Sequence, residues 1–104
     1  MNSQFKKGIL EMCILKLIDD KKMYGYEVID TLSSIIDVSE NTVYPILRRL
    51  TTLGYFDIQM EETAYGAPRK YYVTTKSGKE ALKLYQDEWS SFLSGVMKIM
   101  EEKQ

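Results

Sequence analysis

The side chains best equipped for chemistry in this chain are two pairs of adjacent cations, Arg48-Arg49 and Arg69-Lys70. The first pair lies in SENTVYPILRRL, residues 39–50, and the second follows the loop Gly66-Ala67-Pro68. At about 100° per residue, Asn41, Tyr44, Pro45, Arg48 and Thr52 fall on one helical face, flanked by Thr42 and Arg49. Arg can fork onto a guanine edge and Asn onto an adenine edge, and Tyr can pack on a sugar or a thymine methyl. Thr42 and the free amides of a helix N-terminus can hold a phosphate. A stiff loop tipped with two cations reaches into a minor groove or along a backbone. The same residues also allow plainer readings: Arg48 and Arg49 as solvated charges, Pro45 as a tolerated kink, and Arg69-Lys70 as a guard on a strand edge.

Other chemistry is thinly supplied. The chain has no histidine, which removes the commonest general base and metal ligand. Its single cysteine, Cys13, cannot close an internal disulfide and reads as a small buried hydrophobe that fits a reducing cytoplasm. There is no Gly-rich phosphate loop and no metal-ligand spacing. An enzyme, a cofactor and a metal are therefore not expected. No apolar run reaches the length of a membrane span, and MNSQFKKGIL is too short in apolar core for a signal peptide, so a cytoplasmic protein with no membrane partner is expected. A net charge of −1 argues against coating nucleic acid by bulk charge. Residues 39–79 hold six Lys/Arg (48, 49, 69, 70, 76, 79) against four acids (40, 57, 61, 62), so a nucleic-acid contact would depend on placement and not on excess.

The elements that must hold these cations follow from apolar spacing. Residues 4–19 carry Leu10, Ile14, Leu17 and Ile18 as one stripe, and Ile9, Met12, Cys13 and Leu15 widen it nearly all round, so this helix packs on two sides. Residues 24–36 predict a second helix with Val28, Ile29, Leu32 and Ile36 inward, and Gly25 near its start marks close packing or a turn. Residues 39–53 predict a third, capped by Ser39, with Val43, Ile46, Leu47, Leu50 and Leu53 inward and Gly54 as its stop. Pro45 removes one intrahelical donor and is expected to bend that helix on its outer side. Residues 55–60 alternate as a strand and 71–74 are rich in strand formers, a hairpin with a long tip. Thr75 caps a last helix over 76–103. The order is that of a winged helix-turn-helix, a mainly α fold with a small β-hairpin. Residues 1–75 form the winged unit and residues 76–104 a C-terminal dimerisation helix, together one compact body.

In the last helix Leu82, Tyr85, Trp89, Phe92, Val96 and Ile99 step by three and four, a heptad seam that Leu93, Met97 and Met100 broaden. Such a helix is roughly 40 Å long at 1.5 Å per residue, too long for a chain whose radius of gyration should be about 13 Å. The overhang calls for a partner, most simply a second copy of the chain, with Ile9 and Met12 of the first helix completing the interface.

Several stretches resemble PadR-type transcriptional regulators. Met23-Tyr24-Gly25-Tyr26-Glu27-Val28-Ile29 is similar to their YGYEI opening of the second helix, and Ser39 to Leu50 to their S-x-x-T-hydrophobic-Y-P-x-L-x-R-L recognition helix. Gly66-Ala67-Pro68-Arg69-Lys70-Tyr71-Tyr72 resembles their wing, and Thr75-Lys76-Ser77-Gly78 their T-x-x-G start of the last helix. The match runs over about residues 8–80, with two departures: Tyr65-Gly66-Ala67 where two glycines are common, and Thr74 where Leu is usual. The resemblance implies a homodimeric repressor on a palindromic operator in double-stranded DNA. On it, the DNA-contacting set is Tyr24, Ser39, Asn41, Thr42, Tyr44, Pro45, Arg48, Arg49, Arg69, Lys70 and Tyr71. It also implies release by a flat aromatic effector: in a drug-binding member, a Trp followed by Ser on the last helix lines a pore at the dimer centre, and Trp89-Ser90 matches. Met12, Trp89, Phe92 and Met97 would form that multidrug pocket; Trp89 as a plain dimer-core residue is the other reading. The alternative function is a winged-helix protein-protein interaction module without DNA binding, which the slightly negative charge permits.

Overall fold

The first helix, α1 (Ser3–Asp20), is the axis on which the rest is assembled. The computed structural model describes residues 3–101, with side chains from Lys6 onward. Leu10, Ile14, Leu15 and Ile18 of α1 are fully buried, while Ile9, Met12, Cys13 and Leu17 are half-buried on its other flank. This is the two-sided packing that the sequence pattern requires of it.

After a turn the chain forms β1 (Met23–Tyr24), α2 (Gly25–Ser33), α3 (Glu40–Thr52), β2 (Phe56–Glu61), β3 (Arg69–Thr74) and α4 (Lys76–Met100). α2 buries Val28 and Leu32 and stops three residues short of the expected end, leaving Ile36 half-buried in the connection. The Glu27 carboxylate accepts the Tyr24 amide at 3.2 Å and closes its N-terminus. α3 buries Val43, Ile46, Leu47 and Leu50 and runs unbroken through Pro45. Leu53, expected inward, is exposed at its C-cap, and Gly54 with φ +84 turns the chain out. α4 was expected to reach residue 103; it ends at Met100, and residues 102–104 lie outside the described ones.

The sheet has three strands in the order β1-β3-β2, all antiparallel. The hairpin is the expected one, with Ile58 opposite Tyr72 and Glu61 opposite Arg69. β1 was not expected: its two residues pair with Tyr71 and Tyr72, too few for any alternation to betray a strand. The tip between β2 and β3 is gathered by Thr63, whose hydroxyl lies within hydrogen-bond reach of the Tyr65, Gly66 and Ala67 carbonyls, and Gly66 takes φ +99 there.

One core joins α1, α2 and α3 to Phe56, Tyr72, Ala81 and Leu82. Leu82, expected at a dimer interface, is therefore a core residue of its own protomer, because the first turns of α4 lie on α1. The start of α4 is fixed by its cap: the Gly78 amide donates to the Thr75 hydroxyl at 3.0 Å, and Thr75 and Ser77 both donate to the Gly54 carbonyl. A side chain at Gly78 would overlap the Tyr55 carbonyl oxygen, so only glycine lets α4 come this close to the base of the hairpin. The Thr74 hydroxyl is buried without a partner among the described residues.

Candidate nucleic-acid interface

α3 turns its apolar stripe inward because the stripe has helical period, and this leaves Ser39, Asn41, Thr42, Tyr44, Pro45 and Arg48 on the outside. The Tyr44 ring lies against the α2 backbone at Gly25, where an added Cβ would come within 2.8 Å of Cε1. Gly25 thus lets α2 and α3 meet at the bend of the helix-turn-helix. The Ser39 hydroxyl makes no cap hydrogen bond, although Ser39 has extended cap geometry, φ −112 and ψ 164. In the first turn of α3 the Thr42 amide donates to the Ser39 carbonyl at 3.0 Å, and the Thr42 side chain is exposed.

The wing completes the surface. Between α3 and the sheet lies an open cleft of about 500 Å³, lined by Tyr24, Gly25, Tyr26, Tyr44, Arg48, Thr51, Thr52, Arg69, Lys70 and Tyr72. Cations from two elements distant in sequence, Arg48 on α3 and Arg69-Lys70 on β3, share this cleft with three tyrosines in addition to Tyr72. The Arg69 guanidinium lies 4.6 Å from the centre of the Tyr24 ring, and Lys70 Nζ lies 5.5 Å from that of Tyr72. Tyr24 meets Tyr71 edge to face at 5.7 Å. Tyr71 sits with Tyr24 on the outer face of the sheet and does not line the cleft. Ser39, Asn41, Thr42 and Pro45 lie farther toward the N-terminus of α3, exposed but outside the cleft.

Arg49 has a different place from the one expected. Its guanidinium turns inward to an ion pair with Glu11 of α1, a residue only 4% exposed. The other Glu11 oxygen accepts the Tyr85 hydroxyl of α4 at 2.7 Å. Burial, helped by that hydrogen bond, pushes the Tyr85 phenol up to about 12, and the hydrogen bond from Arg49 to Glu11 raises the guanidinium further above its ordinary value. Arg49 is thus a structural strut, with its charge already answered by a carboxylate. Lys79 is likewise paired, with Asp19 at 2.7 Å. Glu11 carries no local signal of this role, since its partners stand 38 and 74 residues away.

On the far side of α1, two apolar grooves flank Trp89. One, about 590 Å³, is walled by Met12, Cys13, Leu17, Leu32, Ile35, Ile36, Trp89 and Ser90 among others. The second, about 410 Å³, is walled by Gly8, Ile9, Met12, Tyr85, Glu88, Trp89 and Phe92. Met12, Trp89 and Phe92 of the expected aromatic pocket therefore converge. Met97 does not: it lines neither groove and lies about 12 Å farther along the helix. Leu93, Met97 and Ile99 are exposed and Val96 is half-buried. Burial pushes the Cys13 thiol up from its ordinary value, which disfavours the thiolate and agrees with a packing role.

Residues 14–84 match the family described as Transcriptional regulator PadR-like family. The chain belongs to the PadR-like family. It is 32% identical to a PadR-like transcriptional regulator from Bacillus cereus, with a TM-score of 0.86 over 97% of this chain and 100% of that one. A Streptococcus transcriptional regulator gives 32% identity and the same TM-score of 0.86, over 96% and 100% of the two chains. Bacillus subtilis PadR, solved in complex with operator DNA, shares the fold at a TM-score of 0.67 and 24% identity, over 75% of this chain and 45% of that one. The PadR-like family consists of transcriptional regulators, not enzymes, and its winged fold with a long final helix is the one found here.

Proposed function

We propose that this PadR-like chain acts as a homodimeric repressor that binds a palindromic operator and lets go when a flat aromatic molecule enters at Trp89. The observation that carries the proposal is the shared cleft, in which Arg48 of α3 and Arg69-Lys70 of the wing face the same space. Discounting Arg49 and Lys79, which pair with Glu11 and Asp19, the cations of residues 39–79 without an ion pair among the described residues are Arg48, Arg69, Lys70 and Lys76, and three of these four line the cleft. Concentrating charge at one place allows a chain of net charge −1 to hold a polyanion. In this reading Arg48, Asn41 and Tyr44 read base edges, Thr42 and Ser39 with the first-turn amides of α3 take a phosphate, and Arg69 and Lys70 anchor the wing. The operator complex of Bacillus subtilis PadR supports the reading by its fold. The grooves beside Trp89, adaptable through Met12, support the effector site.

Titration of duplex DNA at several salt concentrations tests the proposal. The double substitution Arg69→Ala with Lys70→Ala should weaken binding to every sequence and lower the slope of log affinity against log salt by roughly 2. An unchanged slope would remove the wing from the interface, and affinity that ignores salt altogether would turn the reading toward a protein-protein module.

A further inference from the structure

Arg69 forms no ion pair among the described residues, although an acid, Glu61, stands directly opposite it in the β2–β3 ladder. Residues so placed have Cβ atoms about 4.5–5.5 Å apart and their side chains on one face, so a Glu–Arg pair would be the ordinary outcome. Here Glu61 is taken by Lys22, from the turn between α1 and β1. Lys22 Nζ also donates to Gln59 Oε1 at 3.1 Å and lies 5.2 Å from the centre of the Tyr71 ring. Three groups of the hairpin's outer face thus hold Lys22 beside Glu61, and Arg69 rests on Tyr24 at 4.6 Å.

The difference matters to the wing. A carboxylate would use two of the guanidinium's in-plane donors and cancel its charge. A ring engages only the face of the guanidinium and leaves the donors and the charge available. We infer that Lys22 is a positioning residue for DNA binding: by occupying Glu61, it keeps Arg69 on Tyr24 and free to meet DNA. This rests on the reading of the wing as a DNA contact. It also gives the two-residue β1 a purpose. Met23 is buried, so pairing of β1 with β3 turns Lys22 and Tyr24 together to the outer face.

The test is a set of double-mutant cycles, read as affinity for a labelled duplex of fixed arbitrary sequence at low salt. Lys22→Met should weaken binding roughly two- to five-fold, the span an exposed ion pair commands, with an unchanged thermal midpoint, and Lys22→Arg should bind as the parent does. The Lys22→Met loss should vanish when Glu61→Gln is added, and also in an Arg69→Ala background. A loss that persists in both backgrounds would make Lys22 a phosphate contact in its own right and overturn the proposal, as would Lys22→Met binding at full strength while Arg69→Ala binds weakly. If Arg69→Ala itself changes nothing, the wing reading falls first and carries this one with it.

Discussion

Arg48 and Arg49 are neighbours of one type with opposite fates, and the cause is the 100° turn between them. Arg48 lies in the cleft with the wing, and Arg49 swings back to Glu11. Helical phase puts Arg48 opposite the leucines and leaves Arg49 on the flank, but phase alone does not decide what a flanking arginine meets. That is settled by Glu11, on another helix, whose acidic side chain sits in an otherwise apolar stripe. Arg48→Ala should relax sequence choice at one base pair of a selected site, at roughly 1–3 kcal/mol, while leaving the melting temperature unchanged. Randomised-site selection checks this, and unaltered selectivity would deny Arg48 a base. The outward residues of α3 were legible because an apolar period of 3.6 names its own complement. Lys22 and Glu11 were not, because their partners are set by strand register and helix crossing.

At the scale of elements, most of the fold could be read from spacing and caps: Thr75 and Gly54 delimit α4 and α3 as their residue types require. What could not be read is where α1, α3 and α4 meet. Glu11 brings Arg49 of α3 and Tyr85 of α4 to one carboxylate, a polar junction within the apolar packing. Tyr85 also walls the groove beside Trp89, so the junction borders the candidate effector site. Its signature is a pH dependence. The Tyr85 phenol is neutral in the fold and is pushed from an ordinary 10.0 to about 12, first by burial and then by the hydrogen bond to Glu11. A group whose folded pKa is raised stabilises below its unfolded pKa and loses that contribution as pH rises to its folded one. The parent should therefore lose stability between pH 10 and about 12 more steeply than Tyr85→Phe does. Chemical denaturation at stepped pH checks this, the difference between the two proteins removing the other tyrosines from the comparison. Parallel curves would mean that burial and Glu11 together do not raise the phenol in the fold.

The whole molecule is drawn out by α4. Its axes measure 62 × 28 × 21 Å and its radius of gyration is 15.9 Å, above the roughly 13 Å expected of a compact chain this size. Leu82 and Ala81 near the start of α4 are buried, whereas Phe92, Met97 and Ile99 are 60%, 61% and 83% exposed. An apolar strip on the free half of a rod is costly in water, and it continues from the grooves flanking Trp89, so a second copy laid along it would cover both. The heptad steps announced the strip. Which of its residues fold back on their own protomer depends on where α1 ends its contact with α4, and that placed Leu82 on the wrong side of the divide. If the strip is the dimer seam, Val96→Glu combined with Ile99→Glu should yield a monomer in sedimentation, because two like charges would be buried at the symmetric contact. The winged unit should remain folded, since neither residue touches the core. Operator affinity should fall by roughly 10²-fold or more as the two half-sites lose their linkage. The emission of Trp89, the sole tryptophan, should shift to the red as the grooves open to water. A dimer that survives both charges would place the seam elsewhere.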